Sequence, residues 1–228
     1  MKKLGFLLLL LLACCKEPVP EKINGVSFVG SREPAHQEHV DALTQIHADY
    51  AAVMPYGFVR EPDRPEIIFD TDRQWYGETC EGARQYIQLL QKNGIRVMLK
   101  PQLWIWRGLF TGELAMASES NWKQLESEYA DFILTYADLA EETGVALFCI
   151  GTELGAFVKA RPEFWKGLIA SVRQRYTGKI TYAGDAATLP RRDFTGFQKI
   201  DASGKHLYPG FIAPTTNIGL VDISMVRA

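Results

Sequence analysis

Apolar runs of strand length alternate with amphipathic stretches of helix length through residues 23–186, and this restricts the fold more than any other feature of the sequence. "INGVSFV" at 23–29, "YAAVMPYGF" at 50–58, "IRVMLKPQLWIW" at 95–106, "VALFCIGTE" at 145–153 and "KITYAGDA" at 179–186 read as strands. Pro55 marks the end of the second, since proline cannot donate to a central ladder. Between them, 34–47, 81–93, 120–143 and 161–176 carry apolar residues at helical spacing. Their punctuation agrees: Asn93-Gly94 and Gly144 as stops, Ser120 as an N-cap and Pro162 near a first helical position. A polar segment over 59–79, with Arg60, Asp70, Arg73 and Trp75, is long for a structureless loop. A helical piece over 191–198 and a weak sixth strand over 199–209 complete the series. Strands that are continuous apolar runs, rather than alternating ones, belong to a parallel sheet covered by helices.

Two architectures satisfy that pattern, a doubly wound sheet and a (β/α)8 TIM-type barrel. No G-x-G-x-x-G opens a helix and no P-loop is present, which disfavours nucleotide-binding forms of the first. Polar and aromatic residues gather where strands end: Arg32, Tyr56, Lys100, Gln102, Trp104, Glu153, Tyr182 and Asp185. Barrels build their active sites at that rim, from several strands at once. The expected fold is therefore α/β of the (β/α)8 TIM-barrel type. About six β/α units are readable where eight are needed, and residues 210–228 show no clear seventh, so the barrel reads as incomplete.

The first residues stand apart. Met1-Lys2-Lys3 is basic and Leu4 to Leu12 is an almost unbroken apolar run, too short for an ordinary membrane span. Leu11-Leu12-Ala13-Cys14 resembles the bacterial lipobox, which implies cleavage before Cys14, a lipid on its sulfur and anchorage in the bacterial cell envelope. The expected organisation is residues 1–13 as lipoprotein signal peptide, 14–21 as a polar tether and 22–228 as the partial barrel. Cys15, Cys80 and Cys149 are scattered and form neither a disulfide framework nor a metal-ligand pattern, and Cys149 reads as a small core residue. A net charge of −2 with both signs mixed along the chain offers no nucleic-acid surface. No cofactor and no metal are expected.

"FCIGTELGAF" at 148–157 carries a carboxylate to the tip of one of the most hydrophobic strands. Burying a charge without a partner is costly, so Glu153 is either well paired, with Lys100 or an arginine, or has a use.

Taken together, "VMLKPQLWIWRG", "YADLAEETGVALFCIGTEL", "LIASVRQRYTGKITYAG" and "TDRQWYGET" resemble glycoside hydrolase family 113 and its lipoprotein relatives, over roughly residues 22–185. The resemblance implies a (β/α)8 barrel, hydrolysis of β-1,4-mannosidic bonds with retention, and an oligo- or polysaccharide partner. Glu153 then matches the general acid/base at the end of the fourth strand. That chemistry needs a carboxylic acid to protonate a poor leaving group and a second carboxylate, about 5 Å away, to attack the anomeric carbon. The family's nucleophile lies in a segment like "FTE-G-Y" at the end of its seventh strand, which this sequence does not show. The alternatives are a carbohydrate-binding protein without turnover and an inactive fragment. Lys100, Gln102 and Thr152 sit where the family carries polar strand ends, and Tyr208 aligns loosely with a tyrosine after its sixth strand. Arg32 and Tyr56 end strands one and two. Trp104 either stacks on sugar or packs between helix and barrel, and Tyr182 points either into the cleft or into the core.

Overall fold

The computed structural model describes residues 23–106 and 109–184. In chain order these form β1 (Gly25–Phe28), α1 (Gln37–Gln45), β2 (Tyr50–Val53), β3 (Tyr56–Val59), α2 (Cys80–Lys92), β4 (Arg96–Leu99), β5 (Gln102–Ile105), α3 (Glu119–Thr143), β6 (Leu147–Thr152), α4 (Gly155–Ala160), α5 (Pro162–Arg175) and β7 (Lys179–Ala183).

The sheet is parallel, and its order β1-β2-β4-β6-β7 is the order of the chain. A doubly wound sheet reverses direction at a switch point. Here every described strand is laid on the same side of its predecessor, with helices between, and the result is an arc of a β/α barrel. β3 and β5 pair in parallel and continue β2 and β4 in unchanged register: Val53 faces Leu99, and Tyr56 faces Gln102. The second strand therefore does not end at Pro55, as the sequence suggested. Proline lacks only a donor, and the Pro55 carbonyl still accepts from the Gln102 amide at 2.9 Å, one step after the Lys100 amide reaches Val53 O at 2.8 Å. With Lys100 and Gln102 both donating toward that neighbour, the donor missing at Pro101 is on the side of β6. The sheet is thus loosened at one level on both sides of the β4–β5 strand.

The helices cover one face. Val40 and Leu43 of α1, Ile87 and Leu90 of α2, Phe132 and Ile133 of α3 and Leu168 and Val172 of α5 are buried against Val53, Val97, Leu99, Phe148 and Ile180 of the strands. Each fully buried side chain of this kind contributes on the order of 1.5–3 kcal/mol. Aromatic rings fill the layer where α3, α4 and α5 meet. Tyr129 lies 5.4 Å from Trp165 and 5.6 Å from Phe157, centroid to centroid, and its hydroxyl donates to Ile150 O at 2.8 Å.

Helix ends follow their local chemistry. Thr79 caps α2 by accepting from the Gly82 amide at 3.1 Å, and Gly144 closes α3 in the left-handed conformation at φ 61°. The N-cap of α3 is Ser118, whose Oγ accepts from the Asn121 amide at 3.2 Å, and not Ser120, which stands inside the first turn. The short α4 was not anticipated. Segment 59–79 is anchored rather than loose. Ile68 exchanges two backbone hydrogen bonds with Phe58, Gln74 Nε2 donates to Tyr56 O at 2.9 Å, and a single 3-10 turn at Tyr76–Glu78 lets the Gly77 amide reach Ser31 O at 2.9 Å. The expected elements at 191–198 and 199–209 lie outside the described residues, as do Cys14, Asp185 and Tyr208.

Candidate active site

Burial separates the two faces of the arc. Along β4 and β5, Val97, Leu99, Leu103 and Ile105 are buried under the helices, so the alternate residues Met98, Lys100, Gln102 and Trp104 face the concave side. On β2 and β3 the same alternation puts Ala52, Met54, Tyr56 and Phe58 there. In-register pairing then sets Tyr56 beside Gln102, and Phe58 beside Trp104 one level nearer the rim. The Tyr56 and Phe58 rings are 6.1 Å apart and tilted.

β6 reaches the same face by a detour. Cys149 pairs with Thr181, but the next pair is Thr152 with Ala183, so β6 carries one residue more than β7 between them. This bulge keeps Thr152 on the side of Cys149, and Thr152 Oγ1 lies 4.0 Å from the Cys149 Sγ. Of the site residues read from the sequence, Tyr56, Lys100, Gln102, Trp104 and Thr152 therefore share the concave, C-terminal end of the arc. Cys149 itself is wholly buried, and its thiol donates to Gly151 O at 3.2 Å.

Glu153 follows directly and is partly buried. Its backbone adopts φ 51°, the left-handed region, which disfavours residues with a Cβ by roughly 1–2 kcal/mol. Strain of this kind persists only where the surrounding structure holds the residue in place. Three contacts hold it: the Glu153 amide donates to Ala183 O at 2.8 Å, the Leu154 amide donates to the Tyr182 hydroxyl at 2.7 Å, and the Leu154 side chain is buried in the core. Gly151 inside the strand run signals a bulge, whereas the left-handed turn at Glu153 has no local mark, because it depends on the pairing of two strands distant in sequence.

Two expected site residues go elsewhere. Tyr182 shares the face of the buried Ile180, and its ring packs edge-on against Trp165 of α5 at 5.8 Å, so it belongs to the helix side and not to the cleft. Burial pushes its phenol up to about 12, opposed by the Leu154 hydrogen bond and aided less by the Coulomb effect of Cys149 and Glu153. Arg32 does not continue β1 into the concave face. It is exposed beyond the strand end, with its guanidinium 5.3 Å from the Trp75 ring centre. A matching pair stands at the next position around the rim, where Arg60 lies 5.8 Å over Trp106, which is 49% exposed.

The assembly is a concave strand surface bearing hydrogen-bonding groups and aromatic rings, with a carboxylic acid held at its rim by the backbone. Such a surface offers rings and polar groups to a sugar, and a carboxyl group for proton transfer.

Known proteins share this fold. The family model described as Glycoside Hydrolase Family 113 matches residues 30–214. A solved structure of the GH113 β-mannanase AaManA from Alicyclobacillus acidocaldarius, in complex with ManMIm, superposes with a TM-score of 0.64 at 22% identity, covering 72% of this chain and 55% of that one. A complex structure of a GH113 β-1,4-mannanase gives 0.62 at 22% identity, covering 72% and 56%. The chain thus spans little more than half the length of these enzymes. No curated protein matches. With the family model covering most of the sequence and the parallel arc superposing on structures of that family, the chain belongs to glycoside hydrolase family 113.

Proposed function

We propose that this protein hydrolyses β-linked polysaccharide of the β-1,4-mannan type with retention, and that Glu153 is its general acid/base. The observation that carries the reading is the strained, backbone-held Glu153 at the tip of β6, beside the concave row Tyr56, Lys100, Gln102, Trp104 and Thr152. Protonating a glycosidic oxygen requires a carboxylic acid at a fixed place, and a turn set by three contacts fixes it better than a free side chain. In this reading Trp104 stacks on a sugar face, while Lys100, Gln102 and Thr152 hydrogen-bond hydroxyls. Retention needs a nucleophile as well, and no residue of this sequence is assigned that role.

The same reading makes the mature chain a lipoprotein of the bacterial envelope, bound through Cys14. Its support is the basic start, the apolar run Leu4 to Leu12 and the Leu11-Leu12-Ala13-Cys14 motif. Among the described residues no helix is long and apolar enough to cross a membrane. Cys14→Ser is expected to move the protein out of the membrane fraction, and an unchanged distribution would remove the anchor from the reading.

Reducing-sugar release from β-mannan and manno-oligosaccharides tests the chemistry, with Glu153→Gln as the partner variant. Release by the native chain that falls at least about a hundredfold in the variant supports the assignment. Binding of manno-oligosaccharide without release would make the protein a carbohydrate binder and would withdraw the catalytic role of Glu153.

A further inference from the structure

Tyr182 stands on the wrong face to touch a sugar, yet its hydroxyl lies one residue from the carboxylate that matters most. The Leu154 amide is the last backbone donor before α4 begins at Gly155, and Leu154 is buried. A buried amide without an acceptor is costly, and here the acceptor is a side chain from the neighbouring strand, at 2.7 Å. The hydroxyl is itself placed with care. Its ring is wedged between Trp165 and Gly151, where a Cβ on residue 151 would stand 2.8 Å from the Tyr182 ring and 3.0 Å from that of Trp165. Only glycine lets the ring approach so closely. The bulge in β6, the glycine inside it and the tyrosine across from it thus form one device, and its output is the backbone conformation at 153–154.

We propose that Tyr182 is a positioning residue for Glu153, acting through the Leu154 amide: it fixes the left-handed turn that carries the carboxyl group at the rim of the concave face. This rests on the reading of Glu153 as acid/base. The β7 strand contributes twice to the turn, once through Ala183 O to the Glu153 amide and once through the Tyr182 hydroxyl to the next amide. Two successive amides held by two successive residues of one strand leave the intervening peptide little freedom to rotate. Because the phenol is pushed up to about 12, it stays neutral and in place throughout the range in which an enzyme works.

The test is Tyr182→Phe in the full chain, which keeps the ring and removes only the hydroxyl. Tyr176→Phe serves as a control, because it loses a buried hydroxyl bond to Val145 O, ahead of β6, without touching the bulge or the turn. Two measurements are made: amide hydrogen exchange at residues 153 and 154, and kcat and KM on manno-oligosaccharides. Tyr182→Phe is expected to speed exchange at Leu154 about tenfold and to lower kcat about tenfold with KM unchanged. Tyr176→Phe is expected to leave both unchanged. Unaltered exchange at Leu154, or a rise in KM with kcat intact, would overturn the proposal, the second by making Tyr182 a substrate contact. The exchange measurement needs no substrate. Faster exchange in a chain that hydrolyses nothing would uphold the control of the turn while removing the proposed reaction, so the two can fail separately.

Discussion

Gly77 lies backbone to backbone against Gly30. A Cβ on Gly77 would stand 2.6 Å from the Gly30 Cα and from the Tyr86 hydroxyl, and one on Gly30 would stand 2.9 Å from the Gly77 carbonyl. The contact fastens segment 59–79 to the end of β1, and it is sealed by the Gly77 amide on Ser31 O. Gly77→Ala is therefore expected to lower unfolding free energy by about 2–3 kcal/mol, because neither backbone can retreat. Gly94 meets nothing within 4 Å, and its Ala variant strains only its φ of 76°, for about 1 kcal/mol. Urea denaturation of the two variants checks the order. Equal losses would mean that segment 59–79 yields.

Glu153→Gly should stabilise the protein while abolishing hydrolysis. Glycine accepts φ 51° freely, and after its greater entropy in the unfolded chain is subtracted the net gain is about 0.5–1 kcal/mol, or a few degrees in Tm. Glu153→Gln keeps the Cβ and should show no such gain. A Glu153→Gly protein that melts lower than the native one would show that the side chain, and not the turn, contributes to the fold.

Trp104→Ala is expected to raise KM on manno-oligosaccharides roughly tenfold while moving kcat little, the mark of a stacking platform. Trp104 stands beside Phe58 on the concave face, away from the helices. A fall in Tm of several degrees with KM unchanged would make it a packing residue instead.

Alkaline pH should unfold this protein early. Burial raises the Cys80 thiol to about 12, and raises the phenols of Tyr129 and Tyr136 well above their usual value. A group whose pKa is higher in the folded than in the unfolded state binds its proton more tightly when folded. Its stabilisation is whole below the unfolded value and is lost as pH rises toward the folded one. The decline should begin near pH 9 with Cys80 and steepen above pH 10, where Tyr129 and Tyr136 each add about 1.4 kcal/mol per pH unit. Denaturation at pH 8, 10 and 11 measures this, and Tyr129→Phe should flatten the upper slope by one proton. A slope unchanged by that substitution would take Tyr129 out of the account.

What could be read beforehand follows a physical line. Gly144 and Pro162 announced helix ends because their backbone requirements are local, and continuous apolar strands announced a parallel sheet covered by helices for the same reason. The choice between Ser118 and Ser120 as cap was not local, since both stand at the start of the same helix and only the bond to the Asn121 amide decides. Pro55 misled because a parallel strand can lose one donor and keep its acceptors. The face of Tyr182 was hidden because "KITYA" offers apolar atoms to both sides, and only Trp165 and Gly151, contributed by α5 and β6, claim the ring.

A sheet whose spatial order repeats its sequence order has a further meaning for how the chain is made. With β2–β3 and β4–β5 each counted as one continued strand, every described strand pairs with the one synthesised just before it, so a nascent chain emerging from the ribosome finds its template already waiting. Assembly can advance like a zip from the N-terminal end. Glu153 takes its strained turn only when β7, some thirty residues behind it, arrives to clamp the two amides, so the proposed acid would be set by a late act of synthesis rather than by its own strand.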